Sequence, residues 1–209
     1  MSQLRGETLP KMERRDIRAG FDSEGIFVYQ AFCNAITDTA LKLGTFGPGF
    51  GMRRFTWIKP SFGWMLYRSD FGTEHNQERI LRIKLSHQGW LTLLRDAVPA
   101  QCDNKLFRSR EEWQQAFRSA GVRYQWDPER DLRAEKIENL RAIQVGIGPR
   151  HTRQYVNDWI LGIEDVTRFA HDLKRRRGEG VKHAGMDHPF PEQVYEVDDN
   201  LKKRLGMAQ

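Results

Sequence analysis

Between Arg53 and Ser69 the chain sets Arg53, Arg54, Lys59 and Arg68 among Phe55, Trp57, Phe62, Trp64 and Tyr67, around the lone proline Pro60. A buried segment rarely carries so many charges, and a solvated loop rarely carries so many rings. Guanidinium and ammonium groups bind phosphate, while an aromatic face stacks a base or a nicotinamide. The mixture fits a concave site for an anionic, ring-containing ligand. Arg54, Lys59 and Arg68 are its candidate phosphate ligands, Trp64 its stacking ring and Ser61 a hydroxyl that contributes a hydrogen bond. Proline is favoured at the first helical position, so the spacing predicts a helix from Pro60 to about Ser69. Ser61, Trp64 and Arg68 then share one face, and Phe62, Met65 and Ser69 share another that can join the core. Lys59 falls at the helix entrance, where free N–H groups and the macrodipole already favour an anion. The competing reading is a buried amphipathic helix whose Arg68 pairs with a structural carboxylate.

A second constellation is Gln125-Trp126-Asp127-Pro128-Glu129-Arg130-Asp131. Asp127 precedes proline and is therefore expected to be extended at a strand end. A carboxylate there, Asp127 or Glu129, can act as a general base or stabilise a developing cation. Gln125 and Arg130 flank it as ligand-binding candidates. The alternative is a polar turn held by its own acid–arginine pairs. Tyr29 and Gln30 end another strand and face opposite sides, and Gln144 is a polar insertion between Ile143 and Val145. All three enter as ligand-binding candidates beside the alternative of structural hydrogen bonds.

The elements that must carry these groups follow from periodicity. Ile17 to Phe21, Ile26 to Gln30, Phe55 to Ile58, Ile80 to Leu85, Val122 to Trp126 and Ala142 to Ile147 are expected as strands. Helices are expected over Phe32 to Leu43, from Ser86 through Val98, from Ser109 to about Ala120, after Pro149, and from Thr167 to Arg177. Strands and helices alternate without a regular βαβ rhythm, which implies an α+β class. We expect a single compact domain over residues 16–177, with a mixed or antiparallel sheet flanked by helices. Residues 1–15 read as a polar arm, and residues 178–209 as an extended tail packing on the domain.

Composition narrows the function classes. The chain has 209 residues, 39% hydrophobic and 30% charged, as a soluble globular protein does. No apolar run approaches membrane-spanning length, so no membrane partner is expected. Two cysteines, Cys33 and Cys102, favour reduced thiols and a cytoplasmic location over a disulfide framework. The net charge is +6, and residues 53–95 hold eight Lys or Arg against three acids, a basic patch suited to a nucleotide or nucleic acid. No GxGxxG, P-loop, HExxH, paired CxxC or GxSxG motif occurs. No metal and no tightly bound cofactor is therefore expected.

These residues also carry a resemblance. Thr56 to Phe62, Trp64-Met65, Tyr67-Arg68-Ser69, Gln77-Glu78-Arg79, Gln125 to Asp131, Ile163 to Thr167 and Arg204 to Met207 resemble the family called domain of unknown function 4291. The likeness runs from about Ile17 to Met207 and implies one compact domain with no established activity. Gly63 departs from the family pattern, where a larger apolar residue is usual, and implies looser packing of that helix. A weaker similarity is to ADP-ribosyltransferases. Gln30, then Ser61 or Tyr67, then Gln125-Trp126-Asp127 follow the order of their three motifs, with Gln30 in place of arginine and Asp127 in place of glutamate. That similarity implies NAD as a substrate. The reading is an enzyme acting on a nucleotide or nucleic acid, ADP-ribosyltransferase-like in its sharpest form. The alternative is a non-catalytic nucleic-acid-binding module using the basic face and Arg175 to Arg177.

Overall fold

The computed structural model describes residues 13–182 and 185–207. Its first half contains β1 (Arg14–Arg15), β2 (Arg18–Ala19), β3 (Gly25–Phe32), α1 (Asn34–Leu43), β4 (Thr56–Ile58), α2 (Phe62–Arg68), β5 (Arg79–Ser86), α3 (His87–Asp96) and β6 (Ala97–Pro99). Then come α4 (Arg110–Ser119), β7 (Val122–Arg130), β8 (Lys136–Ile147) and α5 (Pro149–Gln154), which runs into a π-helical turn (Tyr155–Trp159). β9 (Ile160–Asp165), α6 (Thr167–Gly178), β10 (Gln193–Val194) and α7 (Asp199–Arg204) complete the order. The class is α+β. Instead of one sheet, the strands form a mixed five-stranded sheet, an antiparallel β3-β5-β9 sheet and a two-stranded β2-β10 ribbon. In the five-stranded sheet β8 is central. It pairs with β7 on one side and with β1 and β4 on the other, while β6 extends the sheet beyond β7.

Side-chain alternation decides which faces meet. Ile26, Val28 and Phe32 of β3, with Leu81, Ile83 and Leu85 of β5, point into the main core. Val122 and Tyr124 of β7 and Ile143, Val145 and Ile147 of β8 meet them there, and α3 adds Trp90, Leu93 and Leu94. The opposite face of β3 and β5 supplies Tyr29 and Ile80 to a second cluster with Phe62, Met65 and Leu66 of α2 and Ala170 and Leu173 of α6. The two sheets are stitched together where the Tyr29 N–H donates to the Lys59 carbonyl (2.7 Å) and the Lys59 N–H to that of Tyr29 (3.2 Å).

Residues 1–12 of the expected N-terminal arm lie outside the described residues, and Arg14–Arg15 form β1 beside β8. After α6 the chain returns over the domain: β10 pairs with β2, and Tyr195, Val197, Leu201 and Leu205 are buried in the main core. Elsewhere tertiary pairing moved the predicted ends. Phe32 is taken into β3, and the expected end of the third helix becomes β6, paired in parallel with β7.

The corner after β4 departs from expectation most. Ser61, not Pro60, begins α2: its hydroxyl accepts from the Trp64 N–H at 3.0 Å, so Ser61 is the N-cap and Pro60 precedes it. Phe62, Gly63, Trp64, Met65 and Leu66 are all buried, so the helix lacks the clean ligand face and core face expected of it. Nor does Gly63 loosen the packing. A Cβ there would sit 2.1 Å from the Arg130 carbonyl oxygen, because α2 lies directly on the end of β7. Only glycine permits that approach. Gly63→Ala is expected to destabilise the fold by about 3 kcal/mol and lower Tm by roughly 6 to 12 °C in a thermal melt.

Candidate anion-binding groove

Where β3, β4 and β8 meet under α2, a groove of about 550 Å³ opens to solvent. Strand alternation builds its floor. On β4 and the residue after it, Trp57 and Lys59 point away from the main core while Ile58 points into it. Gln144 on β8 and Gln125 on β7 are directly paired, and both line the groove. Arg54 and Phe55 form one end, Met65 and Arg68 of α2 the roof, and His75, Asn76 and Gln77 a further wall. The lining contains three cations, Arg54, Lys59 and Arg68, and no carboxylate.

The ion pairs sharpen that contrast. Three of the other five cations in the basic segment are paired, Arg79 with Asp165 and Asp38, Arg82 with Glu164, and Lys84 with Asp22 and Glu24, whereas Arg53 and Arg95 have no ion pair among the described residues. Among the described residues no such partner reaches Arg54, Lys59 or Arg68. Lys59 is only 6% exposed, and its Nζ lies 4.9 Å from the centroid of the Trp64 ring. Burial pushes its ammonium down to about 7, the Arg68 charge pushes it further, and Asp127 pulls the other way. Asp127 is itself held by two amides: Gln125 Nε2 donates to Oδ1 at 2.7 Å and Gln144 Nε2 to Oδ2 at 2.5 Å. Both amides fix the direction of the carboxylate.

Six of the expected ligand-binding residues thus converge on the groove: Gln30, Arg54, Lys59, Arg68, Gln125 and Gln144. Gln30 has a structural task as well. Its Nε2 donates to Thr56 Oγ1 (2.7 Å) and to the Trp57 carbonyl (3.2 Å), and its Oε1 accepts from the Tyr155 hydroxyl (2.7 Å). Trp64 packs against Lys59 and does not line the groove; the aromatic residues that do are Phe32, Phe55 and Trp57. Trp57 lies against Gly146, where an added Cβ would come within 3.0 Å of the indole.

The remaining candidates lie elsewhere. Tyr29 is in the second core cluster, with its ring 5.1 Å from that of Phe62. Tyr67 is exposed, with the Arg130 guanidinium 3.8 Å above its ring, and neither lines the groove. Ser61 and Glu129, expected to be catalytic, are bonded to each other beneath the start of α2: Ser61 Oγ donates to Glu129 Oε1 at 2.6 Å. Both are nearly inaccessible, and the Ser61 hydroxyl is consumed as cap and donor. The middle motif of the ADP-ribosyltransferase pattern, Ser61 or Tyr67, is therefore not delivered to the groove.

Sequence reasoning also missed Glu192. Its side chain is 8% exposed, accepts from the Phe62 N–H at 2.7 Å, and meets Glu129 beneath α2. Its only signal was a carboxylate after proline in a stretch read as tail. Burial pushes it up to about 8, and the neighbouring Glu129 adds to the effect. Burial likewise raises Glu129. A second cavity of about 370 Å³ meets the groove at Gln125, but there Asp103 faces Arg15. Among the described residues no group of His, Cys, Asp and Glu could hold a metal ion, and no helix is long and apolar enough to cross a membrane.

Fold and site together define a single α+β domain with a cationic, aromatic-walled groove at the junction of its two larger sheets. The chain belongs to the family described as Domain of unknown function (DUF4291), whose model matches residues 16–195. A comparison with curated proteins returns no match.

Two of the buried groups with displaced pKa values, Glu192 and Lys59, act on stability in opposite senses. Glu192 holds a proton in the folded chain that the unfolded chain releases above about 4.5, so its contribution is full below that pH and is lost as pH rises through about 8. Glu192→Gln keeps the acceptor for Phe62 and removes the loss. Its stability advantage over the parent, read from urea melts, should grow from pH 5 to pH 8.5 to on the order of 3 kcal/mol. For Lys59 the unfolded chain binds the extra proton between about 7 and 10.5, so the folded state weakens as pH falls through that window. Lys59→Met should raise Tm at pH 7 by roughly 5 °C in calorimetry.

Proposed function

We propose that the groove binds a nucleotide, with phosphate at Arg54 and Arg68, the Lys59 ammonium between them, and a ring against Trp57 and Phe55. The observation that carries this reading is the set of three cations lining one groove with no carboxylate in its lining. Arg68 and Arg54 are exposed enough to reach a ligand. The reaction we assign is ADP-ribosyltransferase-like, with NAD as substrate and no tightly bound cofactor. In it Asp127, aimed by Gln125 and Gln144, stabilises the oxocarbenium charge that develops as the glycosidic bond breaks. That step rests on Asp127 alone, since Ser61 and Glu129 are occupied beneath α2.

The alternative, a non-catalytic nucleic-acid module using Arg175 to Arg177, has less support. Arg175 is paired with Asp172 and Glu179, and Arg176 with Asp172, so much of that charge is neutralised within α6 itself.

Calorimetric titration with AMP, ADP-ribose and NAD tests the binding, and no heat from any of them below millimolar concentration would sink it. Arg68→Ala should weaken nucleotide binding about tenfold or more, with the loss shrinking at high salt. Asp127→Asn should keep binding and lose turnover by at least about a hundredfold. An anionic ligand favours the protonated Lys59, so affinity should fall as pH rises from 6 to 8.5, with proton uptake on binding near pH 7. Lys59→Arg, charged throughout, should abolish that slope.

A further inference from the structure

Lys59 is the sole buried lysine among the described residues, yet its Nζ faces a solvent-filled groove without a hydrogen-bond or ion-pair partner. Its setting is unlike that of a structural lysine. One side is the face of Trp64, Arg68 is the neighbouring cation, and the one nearby carboxylate, Asp127, is already engaged by two glutamine amides. An amine so placed, desolvated and beside another positive charge, is present at neutral pH in a substantial neutral fraction with a free lone pair. An ammonium kept only to hold phosphate would gain from a more exposed position, because desolvation weakens it. The groove already contains two arginines for that task, Arg54 and Arg68.

We propose that Lys59 forms an imine with a phosphate-bearing ribose whose anomeric carbon is free, the arginines holding the phosphate and Lys59 taking the aldehyde. This rests on the nucleotide reading of the groove and names the sugar end as the part that reacts. The Nζ lone pair attacks the carbonyl carbon of the open-chain sugar, and a proton passes from nitrogen to the carbonyl oxygen to give a carbinolamine. The C–O bond then breaks, oxygen leaves as water with the second amine proton, and the C=N bond forms. No oxidant, reductant or metal enters the balance. Asp127, close enough to act electrostatically on Lys59, is placed to stabilise the cationic protonated imine.

The test uses the full chain with cyanoborohydride, which reduces an imine to a stable secondary amine. ADP-ribose and ribose 5-phosphate form separate arms, and their relative labelling rates tell a nucleotide source from a free sugar phosphate. Intact mass and peptide mapping should show one adduct, on the peptide that contains Lys59. Its rate should rise about tenfold from pH 6 to pH 8 and then level off, whereas exposed lysines keep climbing. Lys59→Arg should remove the adduct. Should that variant fold poorly, mapping of the parent protein decides by itself. An unmodified Lys59 with adducts spread over exposed lysines overturns the imine.

AMP, whose anomeric carbon is already bonded to its base, separates the two readings. If AMP binds by calorimetry and Lys59 stays unlabelled, the imine falls and the nucleotide reading stands. If ribose 5-phosphate labels Lys59 but AMP neither binds nor protects, the imine stands and the nucleotide reading falls.

Discussion

The exchange of two backbone hydrogen bonds between Tyr29 and Lys59 is the constraint from which the groove follows. It is a single antiparallel bridge, yet it joins the β3-β5-β9 sheet to the sheet centred on β8 through the end of β4. Because β4 is also paired with β8, the chain leaving Ile58 has both sides of its backbone engaged before it reaches Pro60. Its direction is then fixed: Pro60 turns it, Ser61 caps α2, and the helix is laid over the end of β7. The Lys59 side chain emerges at the one place where two sheets and a helix leave a gap.

Beneath α2 the same corner holds the opposite charge. Glu129 and Glu192 are buried side by side, one bonded to the capping hydroxyl and the other to the first helical N–H. Gln125, Asp127 and Glu129 stand two residues apart on β7, a spacing that in a strand sends all three toward one face, the face that α2 covers at one end. Gln125 lines the groove, Asp127 lies outside its lining and is held by the amides of Gln125 and Gln144, and Glu129 is enclosed by the helix. Thus three residues of one motif have three different roles, set by how far α2 reaches. The close contact of Gly63 with Arg130 sets that reach.

This explains what the sequence made legible and what it concealed. The α+β class, the strand containing Gln125 and Asp127, and the gathering of Arg54, Lys59 and Arg68 were readable, because alternation and local charge density are properties of neighbouring residues. The division of α2 into two faces was not. A seven-residue helix packed between β3, β7 and the C-terminal return buries its first five residues and leaves only Tyr67 and Arg68 exposed, and helical spacing alone cannot report how many partners a helix has. Ser61 and Glu129 were misassigned for a related reason. A hydroxyl and a carboxylate look reactive in sequence, but here they satisfy each other and a helix terminus. Trp57 was passed over for Trp64 because the choice depends on Gly146, nearly ninety residues away, which lets the indole lie flat on β8.

The electrostatics of the groove set three cations in a lining that holds no carboxylate. Burial and, after it, the Arg68 charge both disfavour the Lys59 ammonium. A fold selected for stability alone would place a carboxylate among these cations, as it does for Arg79, Arg82 and Lys84. Asp127 is near enough to serve, yet both its oxygens are turned to glutamine amides instead. The chain thus holds cations and carboxylate close together but unpaired. Under the nucleotide reading proposed above, a phosphate entering the groove would supply the missing negative charge.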